Sequence, residues 1–174
     1  MTKNQRLVYI ALLAAQAVII SLIERAIPFP FAFAPGAKLG LANIITCMAL
    51  YTLSVRDTTK VVAIRLTLGA LLGGNLSSFM YSVSGGILSL LGMLLVKQLG
   101  PNRISLIGVS VAGAIMHNVG QLLIASWIAH TWTVLLYLPV LSFIGILSGI
   151  AIGITANYLL THVEKLVYYR YLRS

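Results

Sequence analysis

The chain has 174 residues, of which 59% are hydrophobic and only 9% charged, and its mean hydropathy is +0.98. A soluble domain carries roughly 25% charged residues, so this composition excludes one and indicates an integral membrane protein. The formal net charge of +9 raises nucleic acid as a partner, but the basic residues sit at the ends of apolar runs, which is the pattern of a membrane surface.

In chain order, basic Lys3 and Arg6 precede an apolar run that starts at Leu7. Ala15-Gln16-Ala17 imitates a signal-peptide cleavage site, yet the run continues to Ile23 and predicts an uncleaved span over residues 7–27. About 20 residues at about 1.5 Å each cross a hydrocarbon core of about 30 Å. Ala11 and Ala15 share one helix face. That face serves either close packing inside the bundle or docking of a partner subunit.

The stretch from Glu24 to Asn43 holds Pro28, Pro30 and Pro35, Phe29, Phe31 and Phe33, the neighbouring pair Glu24 and Arg25, and a lone Lys38. Each proline lacks an N–H donor and drives its predecessor towards extended backbone. The expectation is an outer lid loop over residues 28–37, closing above a binding site. A second, short span is expected over 39–54, followed by the turn Arg56-Asp57-Thr58-Thr59-Lys60.

From Val61 to Val96 the sequence is almost wholly apolar for 36 residues. As one helix it would measure about 54 Å, so it must fold back. Ser82-Val83-Ser84-Gly85-Gly86 reads as the break, giving helices over 61–81 and 83–96. Gly100-Pro101-Asn102 marks the next turn, helices follow over 104–129 and 133–160, and His130-Thr131-Trp132 lies between them.

Six spans place Lys3, Arg6, Arg56, Lys60, Lys97, Arg103, Lys165, Arg170 and Arg173 on one side and Arg25 and Lys38 on the other. The positive-inside rule then makes both termini cytoplasmic. Arg65, inside the third span, is expected to snorkel back towards that inner surface. The whole chain, 1–174, reads as one transmembrane domain in the cytoplasmic membrane of a bacterial cell.

Small residues recur at spacing four: Gly145, Gly149 and Gly153; Gly69, Gly73 and Ser77; Gly108 and Ala112. These are helix-packing faces, because close backbone approach supplies the contact that no hydrophobic force provides in lipid. Polar side chains within spans are costlier and more telling. Asn43, Asn75, Ser78, Tyr81, His117, Asn118 and Gln121 gather towards the outer half of three spans. They either hydrogen-bond one another between helices or line a pocket. With Lys38 and Arg25 at its mouth, such a pocket suits an anionic ligand with an aromatic or isoprenoid body.

Several functions are excluded. No Gly-x-x-x-x-Gly-Lys-Ser/Thr motif is present, so the chain has no such ATPase loop. Glu24, Asp57 and Glu164 are the only acids, too few to hold the metal ions of a prenyl-diphosphate transfer site. Asp57 lies on the side opposite His117, which excludes a Ser/His/Asp nucleophile. His117, His130 and His162 are scattered, so no metal or other cofactor is expected, and the single Cys47 permits no internal disulfide. The chain therefore reads as a non-enzyme.

Pro35-Gly36-Ala37-Lys38-Leu39-Gly40-Leu41-Ala42-Asn43-Ile44, Arg65 with Gly73-Gly74-Asn75, and His117-Asn118-x-x-Gln121 resemble the bacterial Gx transporter family, also called heptaprenyl diphosphate synthase component I. That family is similar to the substrate-binding S components of energy-coupling factor transporters. The resemblance implies six helices, a lid between the first two, and a small vitamin-, flavin- or isoprenoid-like ligand captured from outside. It also implies docking through Ala11-x-x-x-Ala15 on a transmembrane subunit that works with two ATPase subunits. The alternative it leaves is a non-catalytic membrane subunit of a quinone or prenyl-diphosphate pathway, or of a flavin- and quinone-linked assembly passing electrons to the cell exterior.

Overall fold

The computed structural model describes the backbone of residues 2–26, 39–72 and 75–171, and side chains as far as residue 162. Six α-helices follow in order: α1 (Lys3–Ala26), α2 (Asn43–Thr52), α3 (Val55–Leu71), α4 (Leu76–Lys97), α5 (Leu106–Ile128) and α6 (Leu138–Tyr171), the last preceded by a 3-10 turn at Trp132–Tyr137. No strand occurs among the described residues. Four of the helical segments are long and apolar enough to cross a membrane: α1, α4, α5, and the 3-10 turn continued into α6. The expected lid at 28–37, and Lys38 with it, lies outside the described residues.

The second expected span, 39–54, contracts to a helix of 10 residues. That is about 15 Å of rise, half of a hydrocarbon core. The helix starts late because Gly40 adopts φ +81 and Gly40 to Ala42 form a turn. α2 is apolar almost all round, and such a helix belongs in an interior. Ile45, Cys47, Ala49 and Leu50 are accordingly buried against Leu13, Ala14 and Ala17 of α1, Val61 of α3, Met93 of α4 and Val109 of α5.

The largest departure from the sequence reading is the break between α3 and α4. It falls between Leu71 and Leu76, and α4 runs uninterrupted through Ser82 to Gly86, so helices at 61–81 and 83–96 are not what forms. Asn75 makes the boundary: its backbone is extended (ψ 163) and its side-chain oxygen accepts from the Ser78 N–H at 2.7 Å, the geometry of a helix N-cap. Gly85 and Gly86 stay helical because they are contact points. A Cβ on Gly85 would lie 2.8 Å from His117 Nδ1, and one on Gly86 would lie 3.0 Å from Arg65 Nη2. Gly120 of α5 meets the same turn of α4, with Ser84 O only 2.6 Å from where its Cβ would be. Glycines that resemble a turn in the sequence are the means by which α4 and α5 approach.

The expected ladder Gly145, Gly149 and Gly153 packs α6 on α5. A Cβ on Gly149 or Gly153 would stand 2.7 Å from the Cα of Val111 or Ile107. On α3 the ladder is cut by the break, since Ser77 belongs to α4 and Gly73 lies outside the described residues. Gly108 meets the side chain of Ile104, just before its own helix, instead of a neighbouring helix. Large apolar side chains such as Leu12, Ile19, Leu95, Phe143 and Tyr158 remain exposed, as suits a surface solvated by lipid.

Candidate functional site

A cavity of about 30 Å³ lies where the second half of α1, the turn before α2, the second half of α3, the first half of α4 and the middle of α5 converge. Its polar lining comes from Ser21, Glu24, Arg25, Arg65, Ser82 and His117, with Gly40 and Gly69 giving close access to backbone. A space of that size holds about two waters or the charged head of a small molecule. A drug-sized pocket is roughly ten times larger.

Glu24 and Arg25 do not pair with each other. Glu24 is 6% exposed and its Oε1 accepts from the N–H groups of Gly40 at 2.5 Å and Leu41 at 3.2 Å. Two successive N–H groups converging on one oxygen form a small anion nest, and here it ties the end of α1 to the start of the α2 turn. Arg25 instead donates through Nη2 to the Gly69 carbonyl at 2.5 Å, tying α1 to α3, while its Nε and Nη1 are buried without a hydrogen-bond partner.

Arg65 does not snorkel to a surface. It is 5% exposed, lines the cavity, and lies within Coulombic reach of Glu24. It makes no hydrogen bond or ion pair at bonding distance with another described residue. A buried guanidinium costs several kcal/mol unless its donors are used. Such a residue in a membrane helix marks a functional site by default.

His117 is 4% exposed and reaches the cavity from α5. Gln121 Nε2 and His117 Nε2 are hydrogen-bonded at 2.6 Å. Gln121 therefore positions the imidazole one helical turn away and does not line the space. Asn43 stands behind this wall, 1% exposed, near Gly40 and His117, and neither its Oδ1 nor its Nδ2 has a hydrogen-bond partner.

The remaining expected site residues stand elsewhere. Asn118 donates to the Leu141 carbonyl of α6 at 2.7 Å, a bond between helices. Asn75 is the α4 cap, Ser78 accepts at its carbonyl from Ser82 Oγ at 2.7 Å, and Tyr81 is buried away from the cavity lining. Of the expected residues the structure thus brings Arg25 and His117 to the cavity, with Gln121 and Asn43 behind them. Glu24, Arg65 and Ser82 complete it. The sequence signal for Arg65 was a lone cation about one and a half turns into an apolar run. Ser82 was read as the start of a break, because its place at the cavity depends on α4 continuing through it.

At the opposite end of α1 lies a second charged cluster. Asp57, buried at the start of α3, accepts from Arg6 Nε, from Ser54 Oγ at 3.0 Å and from Lys60 Nζ at 3.1 Å. Burial from water pulls its carboxyl upward, but the bonds from Arg6, Lys60 and Ser54 and the Arg6 charge outweigh this and hold its pKa below the usual carboxylate range. Ala11 and Ala15 lie between the two clusters and are exposed, whereas Ala14 and Ala17 make the internal contacts. Among the described residues no three His, Cys, Asp or Glu side chains converge as a metal site would require.

The described residues define an all-helical membrane protein that encloses a small, positively charged cavity. Residues 13–159 match the sequence model of the family described as heptaprenyl diphosphate synthase component I, and the chain belongs to that family. This is the family that the segments around Lys38 and His117 resemble. No curated protein and no solved structure matches the chain significantly.

Proposed function

We propose that the chain is a non-catalytic membrane component that binds a small ligand, anionic at one end, and works beside other subunits in an energy-coupling-factor-like transport system. The observation that carries this reading is Arg65: a buried guanidinium without hydrogen bonds to described residues, facing a cavity shared with Arg25 and His117. The cavity takes the charged head of the ligand, and any aromatic or isoprenoid body lies beyond it. In this reading the bundle crosses the cytoplasmic membrane of a bacterium six times, with the Arg6 end inside and the cavity towards the exterior. Lys38, close in sequence to Gly40, adds positive charge to the same end, with Asn43, Gln121 and His117 supporting the wall.

The exposure of Ala11 and Ala15 supports their use as a docking face for a transmembrane subunit served by ATPases. Replacing both with leucine is expected to abolish co-purification of such a subunit while ligand binding persists. Continued co-purification removes the docking part. Mass spectrometry of small molecules released from protein purified in mild detergent tests the ligand itself. Recovery of a carboxylate or phosphate compound lost in Lys38→Glu supports capture of an anion, and recovery of a neutral lipid alone rejects it.

The family's name favours a second reading. In it the chain is a non-catalytic subunit of a prenyl-diphosphate or quinone pathway, or of a flavin- and quinone-linked electron-transfer assembly, and the cavity anchors a headgroup. Co-purification of a flavin-bearing partner or a prenyl-transferring enzyme, instead of an ATPase, selects this alternative.

A further inference from the structure

Three buried charged groups share the cavity: the guanidiniums of Arg25 and Arg65 and the carboxylate of Glu24. Among these three groups two cations stand against one anion. Glu24 holds the Gly40 and Leu41 N–H groups through one oxygen, Oε1. Arg25 has two buried nitrogens lacking hydrogen-bond partners, and Arg65 makes no hydrogen bond to another described residue. Guanidinium nitrogens match the paired oxygens of a carboxylate or phosphate. The cavity therefore contains a built-in acid beside donors suited to an external one.

Resting on the anion-binding reading above, we propose that Glu24 is the resident counter-charge of this cavity, and that an oxyanion entering it competes with Glu24 for the positive charge of Arg65, to which Glu24 makes no bond. The same competition couples occupancy to structure. Glu24 is also the tie between α1 and the turn before α2, so an anion beside Arg65 changes the field in which this tie is held.

The test uses the full-length protein in lipid nanodiscs, with acetate and inorganic phosphate as probes at constant ionic strength and chloride as the reference. The readout is the rise of the unfolding temperature with probe concentration. The wild type is expected to respond to acetate, and Arg65→Gln to lose the response. Glu24→Gln keeps a side-chain oxygen for the Gly40 and Leu41 N–H groups but removes the competing charge. It is expected to lower the half-saturating acetate concentration roughly fivefold, the scale of one partly screened charge contact. An unchanged or higher half-saturation in Glu24→Gln, with the Arg65-dependent response intact, overturns the competition and leaves the anion-binding reading standing. No response of the wild type to either probe overturns both. Should Glu24→Gln not fold, Glu24→Asp draws the carboxylate back by one methylene and is expected to lower half-saturation too. A rise there overturns the proposal.

Discussion

α1 is held by charge at both ends, and the two ends use the same ingredients differently. At the Arg6 end the buried carboxylate is fully occupied: both oxygens of Asp57 accept, from Arg6, Ser54 and Lys60, and the Asp57 N–H is capped by Ser54 Oγ at 3.3 Å. The cations there are half-exposed, with Arg6 at 50% and Lys60 at 62% side-chain exposure, so water carries part of their solvation. At the Glu24 end Arg65 is 5% exposed, and Arg25 and Asn43 have buried atoms without hydrogen-bond partners. A saturated cluster is a clasp, since its groups gain nothing from a newcomer. An unsaturated one is destabilised as it stands and is relieved by a guest.

The contrast is breakable by substitution. The largest effect is expected behind the cavity, where Gly120→Val forces a side chain into the backbone of Ser84 and Gly85. Such overpacking costs about 3 kcal/mol or more, and unfolding in detergent should show the loss together with loss of the cavity. If Gly120→Val is tolerated, the α4–α5 contact does not set the cavity floor.

Next comes the clasp. Asp57→Asn removes the charge that Arg6 and Lys60 share, and the unfolding temperature is expected to fall by several degrees while ligand binding is retained. The pH dependence has a definite sign. A carboxyl whose folded pKa is depressed contributes its full stability above its unfolded pKa of about 3.9, and that contribution is lost as pH falls through the folded value. Stability owed to Asp57 should be flat from pH 7 to about pH 5 and decline only in stronger acid. A decline already between pH 7 and pH 6 would assign the clasp to another group.

A smaller change of opposite sign is expected at Asn43. Asn43→Leu replaces a buried amide without partners by an apolar group of similar volume, and stability should rise by about 1 kcal/mol. A fall would mean that the amide is satisfied in the membrane. The smallest change in stability is expected for Arg65→Met, which removes a buried cation that makes no hydrogen bond to another described residue, so the unfolding temperature should hold or rise. Ligand binding should nevertheless be lost. If Arg65→Met destabilises as Asp57→Asn does, the two ends are both clasps and the contrast collapses.

What the sequence determined by itself was the solvent of this protein and most of its axial plan. Apolar runs of membrane length and basic residues at their ends follow from composition and from the energetics of charge in lipid, which act on each segment independently of its neighbours. The turn at Gly100-Pro101-Asn102, the packing face of Gly145, Gly149 and Gly153, and the membership of Arg25 and His117 in a polar end were legible for the same reason. Only the tertiary structure decided whether a glycine turns the chain or lets another helix approach. Gly85 and Gly86 look like a break until Gly120 is seen against them, and Asn75 looks like a pocket amide until its own helix is seen to start there. Arg65 makes the same point. Its position in the sequence declares a cost, but whether that cost is relieved at the surface or held inside depends on Glu24, Gly86 and His117, which only packing brings beside it.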